Sequence, residues 1–297
     1  MTHFYHNMLV VITGGCGFIG SHLAEKLVDL GARVTIVDDL STGDLENIKN
    51  IKDKVTFINK SIVDKEVCLA ATKDAEIIFH LAAFISVPQS LEQPDVCHAT
   101  NVDGTLNMLE AARINGAKRF VFSSSSAVYG NKNEPCSEEM SCNPESPYGY
   151  SKLIGELYCQ QYAKNFGINT VMLRYFNVYG ERQNPNGAYA GVVAKFAHQI
   201  HNNLPITIFG NGLQTRDFTP VARVVDANLR LGMLADSVPG QIFNIATGHS
   251  VTLLELVEQL KKDAPGYQFP VTFMPARQGD IKHSSAQCTK YYSIDAY

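Results

Sequence analysis

Short, nearly continuous apolar runs recur along this chain, at residues 8–12, 33–38, 55–58, 75–81, 118–123 and 169–175. Each is four to seven residues long and rich in Val, Ile and Phe, which predicts strands buried on both faces. Between them the apolar spacing changes to a helical one near residues 20–30, 64–71, 90–115 and 148–166; in the first of these Leu23, Leu27 and Leu30 share a face. Strand and helix in strict alternation predict an α/β fold, a doubly wound parallel sheet with helices on both sides.

The texture changes after about residue 177. Residues 180–188, Gly-Glu-Arg-Gln-Asn-Pro-Asn-Gly-Ala, form a polar loop, and the later elements are shorter. Helices are expected near 189–202, 221–234 and 252–262, with strands at 206–209, 242–245 and 271–274. This predicts two units: residues 1–177 with part of 218–246 as the main domain, and residues 178–217 and 247–297 as a smaller C-terminal α/β substrate lobe.

The first strand runs directly into Thr13-Gly-Gly-Cys-Gly-Phe-Ile-Gly20, and the first helix follows. Gly14, Gly17 and Gly20 allow a sharp turn and a close backbone approach to a pyrophosphate seated on the helix N-terminus. The second strand ends at Asp38, 18 residues beyond Gly20, where a carboxylate can take a ribose 2′-OH. Such a carboxylate repels a 2′-phosphate, so the sheet reads as a Rossmann unit that takes NAD rather than NADP. In sheets of this kind the ligand lies beyond the carboxyl ends of the strands, where Asp38, His80–Ala83, Ser123–Ser126 and Tyr175–Asn177 gather.

Composition narrows the class. The chain has 297 residues, 45% of them hydrophobic, and a net charge of −4, enough apolar material for a sizeable core and no basic stripe for nucleic acid or an anionic membrane. No apolar run approaches the ~18 residues of a membrane span, and residues 1–7 carry no signal-peptide pattern, so a cytoplasmic protein without a leader is expected. The seven cysteines (Cys16, Cys68, Cys97, Cys136, Cys142, Cys159, Cys288) are odd in number and lack a Cys-x-x-Cys, which suits reduced thiols better than disulfides or zinc. No metal site is expected; His80, at a strand end, reads as a hydrogen-bonded core histidine.

Tyr148-Gly-Tyr-Ser-Lys152 opens a helix just after Pro147. Tyr148 and Lys152 stand at i and i+4 and share a face. For the phenol to act as a base near neutrality its pKa must fall by roughly three units, about 4 kcal/mol. A nearby ammonium and the positive nicotinamide ring can supply that in a desolvated cleft. One of the four serines in Ser123-Ser-Ser-Ser126 can hydrogen-bond a substrate oxygen beside the tyrosine; the others cap backbone.

Together these segments resemble the extended short-chain dehydrogenase/reductase family, and within it the UDP-hexose 4-epimerases. The resemblance spans nearly the whole chain: Thr13–Leu23, Asp38-Asp39-Leu40-Ser41-Thr42-Gly43, His80–Ala83, Asn101-Val102-x-Gly104-Thr105, Ser123–Gly130, Ser146–Lys152, Leu173–Gly180, Gln214–Phe218 and Arg277-Gln278-Gly279-Asp280. It implies that Tyr148 is the base, that Lys152 holds the nicotinamide ribose and that Ser125 contacts the sugar 4-OH. It also places Phe18, Ile19, Asp39, Leu40, Ser41, Thr42, Gly43, Ile62, Leu81, Ala82, Ala83, Asn101, Ser123 and Tyr175 at the cofactor. Ser86, Val87, Ser126, Asn177, Val192, Thr207, Phe209, Arg216, Arg277, Asp280 and Ser284 fall at the UDP-sugar. Of these, Asn177, Arg216 and Arg277 grip the diphosphate and Thr207 and Phe209 flank the uracil. A homodimer joined through the helices near 90–115 and 148–166 is implied as well.

Two departures from the family pattern stand out. Asn59-Lys60-Ser61-Ile62-Val63-Asp64 lacks the usual acidic contact to adenine, which leaves Ser61 to replace it, and the chain stops at Tyr297, earlier than many relatives. As for the reaction, the family's 4,6-dehydratases place Thr-Asp-Glu where this chain has Ser125-Ser126-Ala127, and its decarboxylases usually put Glu at the third of those positions. Without that acid–base pair, C4 epimerisation through a 4-keto sugar is favoured over a 4,6-dehydratase, a 4-reductase or a non-catalytic NAD sensor. Ser284, four residues beyond Asp280, is small enough to admit an N-acetyl group, so UDP-GlcNAc and UDP-GalNAc are expected substrates beside UDP-glucose.

Overall fold

A computed structural model describes residues 1–185, 191–276 and 282–294. In chain order the strands are β1 (Leu9–Thr13), β2 (Arg33–Val37), β3 (Val55–Ile58), β4 (Ile77–His80), β5 (Arg119–Ser125), β6 (Asn169–Tyr175), β7 (Val178–Tyr179), β8 (Thr207–Phe209), β9 (Thr215–Asp217), β10 (Thr219–Pro220), β11 (Gln241–Ile245), β12 (Ser250–Thr252), β13 (Thr272–Met274) and β14 (His283–Ser284). The helices are α1 (Thr2–Tyr5), α2 (Phe18–Asp29), α3 (Lys65–Ala71), α4 (Val87–Glu92), α5 (Pro94–His98), α6 (Gly104–Asn115), α7 (Pro147–Phe166), α8 (Val192–His201), α9 (Val221–Leu234), α10 (Leu253–Lys262) and α11 (Thr289–Ser293).

Seven strands form one parallel sheet in the order β3-β2-β1-β4-β5-β6-β11. Side chains alternate across it. Val10 and Ile12 enter one core with Leu23 and Leu27 of α2, Phe79, Val121 and Leu229 of α9. Val11 between them enters the other core with Cys68 of α3, Met108 and Leu109 of α6, Phe122 and Tyr162 of α7. A strand buried on both faces must be apolar throughout, which explains why these runs show no alternation in sequence. Burial of each such Ile, Leu or Phe contributes roughly 1.5–3 kcal/mol.

After β6 the chain leaves the sheet, builds part of a second lobe, returns as α9 and β11, and departs again. Phe196 and Ile200 of α8, Ile206, Ile208, and Leu256 and Val257 of α10 make the lobe's own core. Three small sheets accompany it: β8 with β13, β9 between β12 and β14, and β7 with β10.

Most elements fall where the apolar pattern puts them, but the long helix expected over 90–115 is broken. It runs as α4, α5, a π-helical turn over Ala99–Asp103 and α6. Pro94 lacks the amide donor that would continue α4, and it drives Gln93 out of the helical region to φ −132°, ψ 62°. Residues 189 and 190 of the expected 189–202 helix lie outside the described residues, and the rest forms α8. No helix among the described residues is long and apolar enough to cross a membrane.

Candidate functional site

In the sheet order, β1 is flanked by β2 on one side and β4 on the other, and the connections leave in opposite directions. A crevice opens at the carboxyl ends of such strands. Gly14 and Gly20 make it possible here. Gly14 has φ +70°, and a Cβ on it would lie 2.7 Å from the amide nitrogen of Ala82, in the loop after β4. A Cβ on Gly20 would lie 2.1 Å from the carbonyl oxygen of Gly14. Gly17 caps α2 with no side-chain hydrogen bond, so the first amides of this 12-residue helix are left for a ligand.

The resulting cleft is lined by Gly14, Gly17, Phe18, Ile19 and Gly20, by Asp38, Asp39, Ser41 and Thr42, by Ser61 and Ile62, by Leu81, Ala82 and Ala83, and by Ser123, Tyr148, Lys152 and Tyr175. Asp38 closes one end. One carboxylate oxygen accepts the Cys16 amide at 2.8 Å and the other the Leu40 amide at 2.9 Å. Each oxygen keeps a second acceptor direction, which suits a ribose diol and repels a phosphate. Burial raises the Asp38 pKa, the two backbone bonds oppose it, and the Asp39 charge adds to the rise. A bare glycine turn, an uncapped helix end and a two-fold acceptor in one cleft fit an NAD molecule.

Three residues expected at the cofactor stand behind the lining. Leu40 (φ +59°) and Gly43 shape the loop around Asp38. Asn101, on the π-turn, accepts the Phe84 amide at 2.7 Å and donates to the Phe84 carbonyl at 3.0 Å and to Ser151 at 2.9 Å. It therefore ties the loop after β4 to α7. The cleft also takes in Ser124 of the Ser123–Ser126 run, and Val37, Lys60, Ile85 and Thr100, which the sequence does not single out. Lys60 adjoins Ser61; Thr100 stands on the π-turn, which leaves no sequence signal.

His80 is held at both ring nitrogens, Nδ1 at 2.9 Å from Thr13 Oγ1 and Nε2 at 3.0 Å from Thr105 Oγ1. Thr105 gives its hydroxyl proton to the Asn101 carbonyl, so it accepts from His80 Nε2–H, and Nδ1 accepts from Thr13. Burial first, then the Lys152 charge, push the imidazole pKa down to about 3. This is the hydrogen-bonded core histidine that its position suggests.

Helix α7 begins on a Ser146 cap, which accepts the Gly149 amide at 3.1 Å, while the Tyr148 amide donates to Ser90 at 3.2 Å. Tyr148 and Lys152 face β5 together. Ser125, at the end of β5, is near enough to the Tyr148 phenol to favour its ionised form. Lys152 Nζ donates to the Ser123 carbonyl at 2.8 Å and is 4% exposed. In the protein alone burial raises the Tyr148 pKa, Ser125 opposes this, and Cys97 adds to the rise. Desolvation works on the lysine in the opposite sense and brings its pKa down to about 8. Tyr175, also in the cleft, is fixed by Ser123 Oγ at 3.0 Å and by Asn228.

Among the residues expected at the UDP-sugar, Asn177 (φ +33°) donates to the Asp217 carbonyl at 3.0 Å and to Ser284 Oγ at 3.2 Å. Arg216 is the register partner of Ser284 across β9 and β14. The structure thus brings Asn177, Arg216 and Ser284 together. Thr207 and Phe209 lie on β8, paired with Thr272 and Met274 of β13. Ser86 caps α4 by accepting the Gln89 amide, Val87 and Val192 open α4 and α8, and Ser126 starts a 3₁₀ turn. Arg277 and Asp280 lie outside the described residues. No group of three or more His, Cys, Asp or Glu is placed to hold a metal among the described residues.

Lys152 makes the cleft costly. Its proton leaves near pH 8 in the folded protein and near 10.5 in the unfolded chain. Between those values the unfolded state holds more protons, so stability rises with pH there, and below pH 8 the burial cost is felt in full. Lys152→Met should raise the unfolding free energy at pH 7 by up to about 3 kcal/mol. The gap to wild type should close between pH 8 and 10.5. Urea unfolding of nucleotide-free protein at pH 7 and 10 measures this; a variant less stable than wild type at pH 7 refutes it.

Comparison with known proteins agrees with the cleft. Residues 10–246 match the NAD dependent epimerase/dehydratase family. A UDP-glucose 4-epimerase of Mycolicibacterium smegmatis is 40% identical over 288 residues, 95% of this chain and 91% of the relative. The structure of a UDP-N-acetylglucosamine 4-epimerase from Methanobrevibacter ruminantium, in complex with UDP-N-acetylmuramic acid, aligns with a TM-score of 0.92 at 39% identity, covering 97% of this chain and 92% of that one. The UDP-glucose 4-epimerase of Thermus thermophilus in complex with NAD aligns at 0.88 and 36% identity, over 97% and 93% of the two chains. With its glycine turn, Asp38 and the Tyr148–Lys152 helix in one sheet of this topology, the chain belongs to the NAD-dependent epimerase/dehydratase family.

Proposed function

We propose that this chain catalyses the reversible C4 epimerisation of a UDP-hexose, UDP-GlcNAc and UDP-GalNAc included. The observation that carries the reading is a dinucleotide cleft lined by both Tyr148 and Lys152, which stand on one helix face with Lys152 Nζ tied to the end of β5. NAD, the family's cofactor, supplies a hydride acceptor and a positive ring when bound. Gly14, Gly17, Gly20 and Asp38 would hold its pyrophosphate and adenine ribose, and Lys152 its other ribose.

Tyr148, once ionised, takes the proton of the sugar 4-OH and later returns it. Ser125 donates a hydrogen bond that favours the phenolate. Lys152, still largely protonated at neutral pH, keeps a positive charge on the same face. Ser125-Ser126-Ala127 offers no carboxylate to expel water at C5–C6 or to assist loss of CO₂. That leaves oxidation and re-reduction at C4. The nucleotide anchors the substrate through Asn177 and Arg216, with Arg277 as an expected third grip, while the keto sugar turns over.

The second lobe would hold the nucleotide sugar. Ser284, bonded to Asn177, is short enough to leave room for a 2-acetamido group. The Methanobrevibacter relative, named for a UDP-N-acetylated hexose, supports that substrate range.

The helices expected to join two subunits carry a continuous apolar stripe. Tyr150 and Leu157 of α7 are 52% and 56% exposed, one heptad apart, and Leu91 of α4 is 64% exposed. Burying such a stripe supports a homodimer through α7 and the α4–α5 segment.

Incubation with UDP-GlcNAc, and separately with UDP-Glc, followed by proton NMR of the sugar, should show interconversion at C4 without net change in nicotinamide absorbance. Tyr148→Phe should lower kcat by about 10²–10⁴-fold with NAD still bound. A 4-keto-6-deoxy product or stoichiometric NADH consumption overturns the reading. Ser284→Tyr should weaken turnover of the acetylated sugars selectively; equal loss for both sugar classes removes Ser284 as the size gate. Leu157→Asp should sediment as a monomer where wild type sediments as a dimer, and identical sedimentation removes the stripe as the interface.

A further inference from the structure

One face of α7 meets the end of β5. Tyr148, Lys152 and Glu156 lie at i, i+4 and i+8 on that face. Lys152 Nζ donates to the Ser123 carbonyl at 2.8 Å, Glu156 Oε1 accepts the Ser124 hydroxyl at 2.5 Å, and Tyr148 lines the cleft one turn beyond Lys152. Phe122 packs against α7, and strand alternation puts Ser124 on that same face, so its side chain reaches Glu156 while Lys152 takes the Ser123 backbone carbonyl.

Glu156 is itself held from the far side. Arg174 on β6, the register partner of Ser124, donates Nε to Oε1 at 2.8 Å and Nη2 to Oε2 at 2.6 Å. Both residues are fully enclosed, at 1% and 2% exposure. The Arg174 guanidinium lies 4.6 Å over the Tyr129 ring, and Tyr129 donates to Asn244 on β11 at 2.6 Å. A two-pronged ion pair of this kind has narrow geometry and adds little net stability when buried. What it fixes is where α7 lies along the ends of β5 and β6.

We infer that Glu156, held between Ser124 and Arg174, is a positioning residue: it sets the register of α7 against β5 and so places Tyr148 and Lys152 in the cleft. The inference deepens the epimerase reading and rests on it for its kinetic effect only. Removing Glu156 or Arg174 strands a buried charge and endangers the fold. Ser124→Ala leaves the ion pair whole and removes the tie between Glu156 and β5. Ser124→Cys, which keeps the size with a poorer donor, is the second variant.

Two measurements decide it. In the assay above, Ser124→Ala should lower kcat about tenfold with KM unchanged, as a small misplacement of a base does. In protein labelled with 3-fluorotyrosine, whose phenol is more acidic, ¹⁹F NMR should show the Tyr148 resonance, assigned by its loss in Tyr148→Phe, titrating at higher pH in Ser124→Ala. Ser124→Cys should shift it less in the same direction. A Tyr148 titration that stays at the wild-type pH in both folded variants overturns the proposal whatever kcat does. If wild type fails to interconvert the C4 epimers, the epimerase reading falls, and the fluorine titration still decides the role of Glu156.

Discussion

The site depends on two backbones that meet without side chains between them. Gly14, at the end of β1, lies against the Ala82 amide after β4, at the point where the chain connections of the sheet diverge. A single methyl group at Gly14 would force the two strand ends apart. The contact brings the uncapped start of α2, Asp38 and the Leu81–Ala83 loop around one cleft. His80 reinforces it, since its ring ties Thr13 of β1 to Thr105 of α6 through a neutral imidazole.

The electrostatics of the cleft work against its own stability. Burial disfavours the charged form of both the phenol of Tyr148 and the ammonium of Lys152. An acid and a base are therefore pressed toward neutrality in the same pocket. Ligand charge can tip that balance, which is how a desolvated site gains catalytic reach at the expense of folding free energy.

Much of this was legible in the sequence. The glycine turn, the position of Asp38, the Tyr148–Lys152 spacing and all seven strands of the main sheet carry local signals, because doubly buried strands and amphipathic helices leave strong patterns. The paired strands β7 with β10 and β9 with β14 left none, since two or three residues cannot display a period. Pro94 was visible, but the π-turn that follows it was not, and with it went the position of Thr100 and the backbone-holding role of Asn101. The desolvation of Tyr148 was hidden for a different reason: spacing on a helix reveals a neighbouring charge but not how much water the fold removes. Glu156 and Arg174 were equally hidden, as two charges 18 residues apart have no local pattern that announces a buried pair.

The return of the chain as β11 has a consequence for how the molecule is made. β6 ends at Tyr175, and its outer neighbour begins only at Gln241, after the polypeptide has gone through α8, β8, β9 and α9. A nascent chain leaving the ribosome thus carries an open edge of hydrogen-bonding groups on β6 for more than sixty residues of synthesis. Its closure is a long-range event with a high loop-entropy cost, and until it happens the unfinished sheet is a template for pairing with other chains.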